Sequence, residues 1–191
     1  MIKELILKNR SYRRFQQSEK ISIEQLRQWV DLARVSGSAR NAQPLKYILS
    51  TEEKLNAEIF ELLAWAGYLT TWKGPEEGER PAAYIVLLKD TLISANHLCD
   101  DGIALQSILL GATEAGYGGC IVHSVNRNKL RDLLHISEQY EILYVLALGK
   151  PAETVVLEDA IEDDTKYWRD EDSIHHVPKR SLDEIIIETH D

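Results

Sequence analysis

The chain has 191 residues, of which 44% are hydrophobic and 28% charged, and it carries a formal net charge of −9 at pH 7. This size allows one domain to bury a core without disulfides or metals, so we expect residues 1–191 to form a single domain. The acidic charge argues against non-specific nucleic-acid binding, which needs a basic surface, and against docking to an anionic membrane. Two cysteines without a CxxC or His/Cys cluster exclude a disulfide framework and argue against zinc.

The N-terminal segment Met1–Leu5 lacks the pattern of a signal peptide, because charged residues interrupt its apolar stretch at once. The longest apolar helix candidate, Gly102–Ala112, is too short to span a bilayer. We therefore expect a cytoplasmic protein without a membrane segment.

The first half of the chain shows helical and strand patterns in alternation. Leu5–Asn9 is predicted to end a short helix. Ser22 and Gln25 have the spacing of a capping box, and the helix that they begin should end near Val35. The next predicted elements are a strand at Lys46–Ser50 and an amphipathic helix at Glu52–Trp65.

The second half contains apolar runs that are long enough for a core. Asp100–Ala115 is apolar on almost every side, which predicts a central helix buried on several faces. Glu158–Asp172 is rich in acids and shows no clear element. The other predicted elements are strands at Ala83–Leu88, Cys120–Val122, Ile142–Leu148 and Ile185–Ile187, and a helix at Asn126–Leu134.

A long loop is predicted between the second helix and the next strand, because residues 67–80 contain Gly74, Pro75 and Gly78. Taken as residues 65–80, this segment could serve as a lid. Tyr68 and Trp72 could stack on an aromatic substrate or nicotinamide, or could simply pack against the protein. Trp65 is expected to belong to the core.

A basic cluster lies near the start of the chain, in the segment Asn9–Phe15. Arg10, Arg13 and Arg14 with Ser11 are suited to an anion, because guanidinium groups match phosphate oxygens bidentately and a hydroxyl can bind a remaining lone pair. The alternative is that these arginines pair with surface carboxylates.

Three later segments accompany this cluster: Ser36–Pro44, Gly116–Ser124 and Pro178–Glu184. In this order and spacing, the four segments resemble the nitroreductase family of FMN-dependent oxidoreductases, and the resemblance covers nearly the whole chain. It implies an α+β fold of the nitroreductase type, an α/β/α sandwich with a mainly antiparallel central sheet flanked by helices. It also implies an intertwined homodimer with FMN at the subunit boundary, in which residues 173–191 form an arm onto the partner.

The resemblance implies four groups of FMN-binding residues. Those expected at the ribityl chain and phosphate are Arg10, Ser11 and Arg13. Those expected to reach the same flavin across the dimer are Ser38, Arg40 and Asn41. Those expected along the isoalloxazine are Ile121, Val122, His123 and Ser124, with the Ser124 amide donating to flavin N5. Lys179 and Arg180 are expected at the phosphate.

Departures from the family pattern leave alternatives open. Asn9 stands where many relatives have another arginine, and the dipeptide His123-Ser124 often ends in glycine. His123 could be a strand-end histidine that satisfies a local carbonyl. Lys179 and Arg180 could be a solvated pair. The neighbouring histidines 175 and 176 point to opposite faces of a strand, which argues against a metal.

The implied activity is transfer of electrons from NADH or NADPH to a nitroaromatic, a quinone or a similar small acceptor by a ping-pong mechanism. Flavin N5 would carry the hydride, so no catalytic side chain is expected. Two alternatives are a flavin enzyme that does not use nicotinamide, such as a dehalogenase-like or flavin-fragmenting enzyme, and a non-catalytic flavin-binding module.

Overall fold

Residues 2–190 are described by a computed structural model, and within them the elements form a larger and a smaller group. The helices are α1 (Ile2–Lys8), α2 (Ile23–Arg34), α3 (Glu53–Phe60), α4 (Asp100–Glu114), α5 (Arg127–Leu134) and α6 (Leu182–Ile185). The strands are β1 (Leu45–Ser50), β2 (Ala83–Asp90), β3 (Gly118–Val122), β4 (Tyr140–Gly149), β5 (Val155–Asp159), β6 (Trp168–Arg169) and β7 (His175–Lys179).

The main sheet has the strand order β1-β2-β4-β3, and each neighbouring pair is antiparallel. Every residue of β2 is buried, because helices cover both faces of the sheet. Ile85 and Leu87 pack with residues of α2 and α4, whereas Val86 packs on the opposite face with residues of α3 and α5. This alternation follows from the two-residue period of a strand. The predicted α+β fold with a mainly antiparallel sheet is confirmed.

A smaller sheet follows the main one, with the order β5-β7-β6. Strand β7 pairs in parallel with β5 and antiparallel with β6. Polar and aromatic contacts hold it together: the Trp168 ring stacks on the His176 ring at 4.0 Å, and Trp168 Nε1 donates to Glu158 Oε1 at 2.9 Å. The acid-rich composition of this region gives no period-2 apolar pattern, so the sequence does not predict these strands.

The arginine turn, residues 10–15, packs against the ends of β3 and β4. Ser11 forms a parallel bridge with Gly119, and the Tyr12 amide donates to the Gly119 carbonyl at 3.0 Å. Gly118 permits this approach, because a Cβ at that position would lie 2.5 Å from Tyr12 Cδ2. The turn is thereby fixed beside the edge strand β3.

The predicted helix at Glu52–Trp65 is wrong beyond Phe60, where α3 ends. The chain leaves the helix in order to pair with the segment after β3: the Ala64 amide donates to the Ser124 carbonyl at 2.8 Å, and the Leu62 carbonyl accepts from the Asn126 amide at 2.9 Å. Trp65 is nevertheless 8% exposed and belongs to the core, as expected.

The predicted strand at Ile185–Ile187 is also wrong. Ser181 and Glu184 form a capping box, and Leu182–Ile185 form one short helix instead of a strand. The side chain of Ile187 is 98% exposed. Local capping therefore outweighs the β propensity of three isoleucines.

The other predicted elements agree with the structure to within a few residues, and the capping box of Ser22 and Gln25 is present. No helix within residues 2–190 has the length and apolar run needed to cross a bilayer.

Candidate functional site

A basic cavity of about 350 Å³ lies between the arginine turn and the smaller sheet. The arginine turn supplies Arg10, Ser11 and Arg13, and β7 supplies Lys179 from the opposite side. Three cations from two segments that are far apart in the sequence therefore line one cavity. Such a cavity suits an anion with several acceptor oxygens.

These three cations lack carboxylate partners among the described residues, 2–190. Arg10 Nη2 donates to the Ile6 carbonyl at 2.7 Å, and Arg10 Nε is buried without an acceptor. The neighbouring Arg14 differs, because it is bound to the carboxylate of Glu79. Arg14 therefore pairs with a surface carboxylate, whereas within residues 2–190 the three cations of the basic cavity do not.

A buried carboxylate holds the arginine turn in place. The side chain of Glu153 is 0% exposed, and its Oε1 accepts from the backbone amides of both Arg13 and Arg14, the latter at 3.1 Å. Its Oε2 accepts from Arg169 Nη2 at 2.8 Å. Sequence reasoning missed Glu153, because nothing local marks a contact across about 140 positions.

His175 forms one wall of the basic cavity, a role that the sequence pattern does not predict. Burial, followed by the positive charges of Arg13 and Arg169, lowers the pKa of His175 to about 4. The ring is therefore neutral at pH 7, and its Nε2 can accept from Arg13 Nη1, which lies 3.1 Å away. His176 points elsewhere, toward Glu158 and Asp170.

A second cavity of about 220 Å³, the edge cavity, runs along the end of β3 and is lined by residues 120–124, including the predicted Ile121, Val122, His123 and Ser124. The Ser124 carbonyl accepts from the Ala64 amide, whereas the Ser124 amide has no acceptor within residues 2–190. This amide can therefore donate to a bound molecule. The His123 ring is 5.6 Å from the Tyr144 ring, and burial raises the pKa of the Cys120 thiol, which keeps that thiol protonated.

The two cavities adjoin, because Arg13 and Tyr167 line both of them. Together they form one cleft with a basic end and a strand-edge end. Tyr167 was not predicted as a site residue, and it lies in the segment whose sequence shows no clear element.

The remaining predicted site residues lie outside this cleft. Ser38 lines a separate cavity of about 250 Å³, where its hydroxyl donates to Asp100 Oδ2 at 2.6 Å. Arg40 and Asn41 are exposed and have φ values of 56° and 54°. Asparagine adopts this left-handed conformation readily, whereas it costs energy in arginine. Within one chain, the structure does not bring this loop to the basic cavity.

The two members of the predicted basic pair have different surroundings. Lys179 lines the basic cavity, whereas Arg180 pairs with Asp163 and, at 3.7 Å, with Glu184. In the lid segment, Tyr68 is 57% exposed and Trp72 lies under the guanidinium of Arg169.

The family profile described as the nitroreductase family matches residues 6–150. This range covers most of the chain and includes the arginine turn and β3. The chain belongs to the nitroreductase family.

Solved structures of this family have the same fold. The nitroreductase family protein of Clostridium novyi NT is 27% identical with a TM-score of 0.64, over 79% of this chain and 86% of that one. A nitroreductase family protein of Streptococcus pneumoniae TIGR4 is 16% identical with a TM-score of 0.70, over 99% and 100%. The NADPH:FMN oxidoreductase of Vibrio harveyi, solved with NAD⁺, is 21% identical with a TM-score of 0.62, over 85% and 72%. No curated protein sequence matches this chain.

The nitroreductase profile ends before the smaller sheet begins. Tyr167, His175 and Lys179 therefore lie beyond the matched range, although they form one side of the basic cavity. The family match accounts for the arginine turn and the strand edge, and side chains from residues 155–179 complete the cleft.

Proposed function

We propose that this nitroreductase binds FMN in the cleft and passes electrons from NAD(P)H to a nitroaromatic, a quinone or a similar small acceptor. The observation that carries the proposal is the convergence of Arg10, Arg13 and Lys179 on one cavity without carboxylate partners among residues 2–190. The cavity is continuous with an edge cavity that offers a free backbone amide.

The cleft has the donors and the size that FMN needs. A phosphate monoester carries nearly two negative charges at neutral pH, so several cations are required to hold it away from water. The basic cavity supplies three, and the buried Nε of Arg10 still needs an acceptor. Taken together, the two cavities, of about 350 and 220 Å³, provide a volume in the range usual for cofactor sites. The residues present therefore fit the cofactor.

The protein would bind and orient, while the bound flavin would supply hydride transfer between donor and acceptor. Arg10, Arg13 and Lys179 would neutralise the phosphate, and the Ser124 amide would donate to the ring at N5. The Cys120 thiol stays protonated and offers no competing nucleophile. Donor and acceptor would occupy the same open face in turn, which gives ping-pong kinetics.

A homodimer would complete the site. Apolar side chains are exposed on α1 and α2, including Ile6 at 47% and Leu32 at 41%, and such surface usually marks a partner interface. A second copy could bring Ser38, Arg40 and Asn41 to the cleft of the first. The left-handed conformation of Arg40 costs energy in an arginine, which supports a functional role for that loop.

Arg13→Ala tests the proposal, with Arg14→Ala as the matched control. Loss of a buried charge-assisted contact should weaken FMN binding by about 2–5 kcal/mol, which is roughly 30-fold or more. Arg14 is paired with Glu79, so its replacement should change FMN affinity by about twofold or less. The measurement is quenching of FMN fluorescence on titration with protein. Equal FMN affinity in the wild type and Arg13→Ala would remove Arg13 from the site.

Reduction of the bound flavin separates the proposed enzyme from its alternatives. Under anaerobic conditions, NADH or NADPH should bleach the flavin absorbance rapidly, and a quinone should restore it. A flavin that neither dinucleotide bleaches would favour an enzyme that does not use nicotinamide, or a binding module.

A further inference from the structure

Tyr167 lines both the basic cavity and the edge cavity and so lies where the two meet. The Arg13 guanidinium lies 4.8 Å from the centre of the Tyr167 ring, a distance typical of a cation–π contact. The centre of the His175 ring is 5.2 Å from that of Tyr167. Any molecule that extends from the basic cavity to the edge cavity must therefore pass beside Tyr167.

Tyr167 also contacts the lid segment, residues 65–80. The Tyr167 and Tyr68 rings are 4.9 Å apart, and the Tyr68 amide donates to the Tyr167 hydroxyl at 3.3 Å. Tyr68 is itself 57% exposed, so burial contributes little to holding it in place. Its ring and its backbone amide both contact Tyr167, and these contacts help to hold it.

A second contact joins the same two segments. The Arg169 guanidinium lies 4.7 Å from the centre of the Trp72 ring, and Arg169 is held in turn by the buried carboxylate of Glu153. Since Glu153 also binds the backbone of the arginine turn, the lid segment and the basic cavity are connected through residues 167–169. The lid is thus attached to the cofactor side of the cleft at two points.

We propose that Tyr167 is a positioning residue that couples the lid to the FMN cleft. Its ring lines both cavities and so forms a wall beside the path between phosphate and isoalloxazine. Its hydroxyl binds the Tyr68 amide, directly after Gly67 in the wall of the edge cavity, where the acceptor would bind. This inference rests on the proposed function for the identity of the cofactor, whereas the link between Tyr167 and Tyr68 stands on the geometry alone.

Tyr167→Phe separates the hydroxyl from the ring. The variant keeps the wall of the cleft but removes the acceptor for the Tyr68 amide. Hydrogen exchange at that amide, followed by NMR, should become about three- to tenfold faster, the scale of one neutral hydrogen bond. FMN affinity should stay within about twofold. With menadione as acceptor, the KM should rise about threefold or more while kcat changes by about twofold or less, since binding of the acceptor alone is affected.

Tyr117→Phe is the matched control, because its hydroxyl donates to the Lys20 carbonyl at 3.4 Å, away from the cleft. It should leave Tyr68 exchange and the KM for menadione unchanged. Tyr167→Leu also removes the ring, and it should weaken FMN binding about tenfold in addition, through lost contact with the cofactor.

The outcomes separate the two proposals. A wild-type protein that binds FMN, with Tyr68 exchange and menadione KM unchanged in Tyr167→Phe, would overturn the coupling and leave the proposed function intact. A wild-type protein that takes up no FMN would overturn the proposed function and the cofactor role of Tyr167. In that case, faster Tyr68 exchange in Tyr167→Phe would still support the link to the lid.

Discussion

Replacing Glu153 with glutamine tests whether one buried carboxylate holds the arginine turn. The wild-type side chain accepts from two backbone amides and from Arg169, and it is 0% exposed. Glutamine preserves the volume and one acceptor oxygen, but it places an NH₂ group against either the amides or the guanidinium. A buried cation is then left without its partner, which typically costs about 3–5 kcal/mol. Because Arg169 is 14% exposed, we expect the lower value, about 3 kcal/mol.

Thermal unfolding measures this cost, with Glu79→Gln as the control. For a chain of this size, 1 kcal/mol corresponds to roughly 2–4 °C, so Glu153→Gln should lower the Tm by roughly 6–12 °C. Glu79 pairs with Arg14 at the surface, where both side chains are 24–31% exposed. Its loss should cost about 1 kcal/mol or less. If the two variants unfold at the same temperature, Glu153 does not anchor the turn and our account of the site's positioning is incorrect.

Three further predictions concern the turn, the basic pair and pH. Gly118→Ala should destabilise the protein by about 1–3 kcal/mol in urea unfolding, because the added Cβ overlaps a tyrosine ring; an unchanged midpoint would exclude the close approach. Lys179→Ala should weaken FMN binding about tenfold in fluorescence titrations, whereas Arg180→Ala should not, since Arg180 pairs with Asp163; the reverse order would assign the phosphate to Arg180. Burial, aided by nearby cations, lowers the pKa of His175 in the folded protein to about 4. Its contribution to the free energy of unfolding is therefore complete above the pKa of about 6.5 that it has in the unfolded chain, and it declines as the pH falls toward 4. His175→Gln should therefore lose less stability than the wild type between pH 7 and 4.5, and an equal loss would contradict this assignment.

The parts of the fold that the sequence predicts are those with local signals. The capping box of Ser22 and Gln25 begins α2, and the continuous apolar run of β2 predicts a strand buried on both faces. The arginine turn is visible because its anion-binding residues are close together in the chain. The residues that determine each of these features are close together in the sequence, so the sequence pattern alone predicts them.

The parts that could not be predicted depend on contacts between distant residues. Glu153 is an ordinary acid in the sequence, and its role follows from the approach of β4 to the arginine turn. The strands of the smaller sheet are stabilised by polar and aromatic pairs, which a hydrophobic pattern does not reveal. The different surroundings of Lys179 and Arg180 follow from the end of β7, which directs only Lys179 to the cavity.

The most direct test of the central claim is the visible absorption spectrum of the protein purified without added cofactor, with the released chromophore identified by chromatography. We expect a flavin spectrum and release of FMN in near-stoichiometric amount, because the basic cavity holds three cations with no carboxylate partners among residues 2–190. A colourless protein that also fails to bind added FMN would contradict the assignment of the cleft.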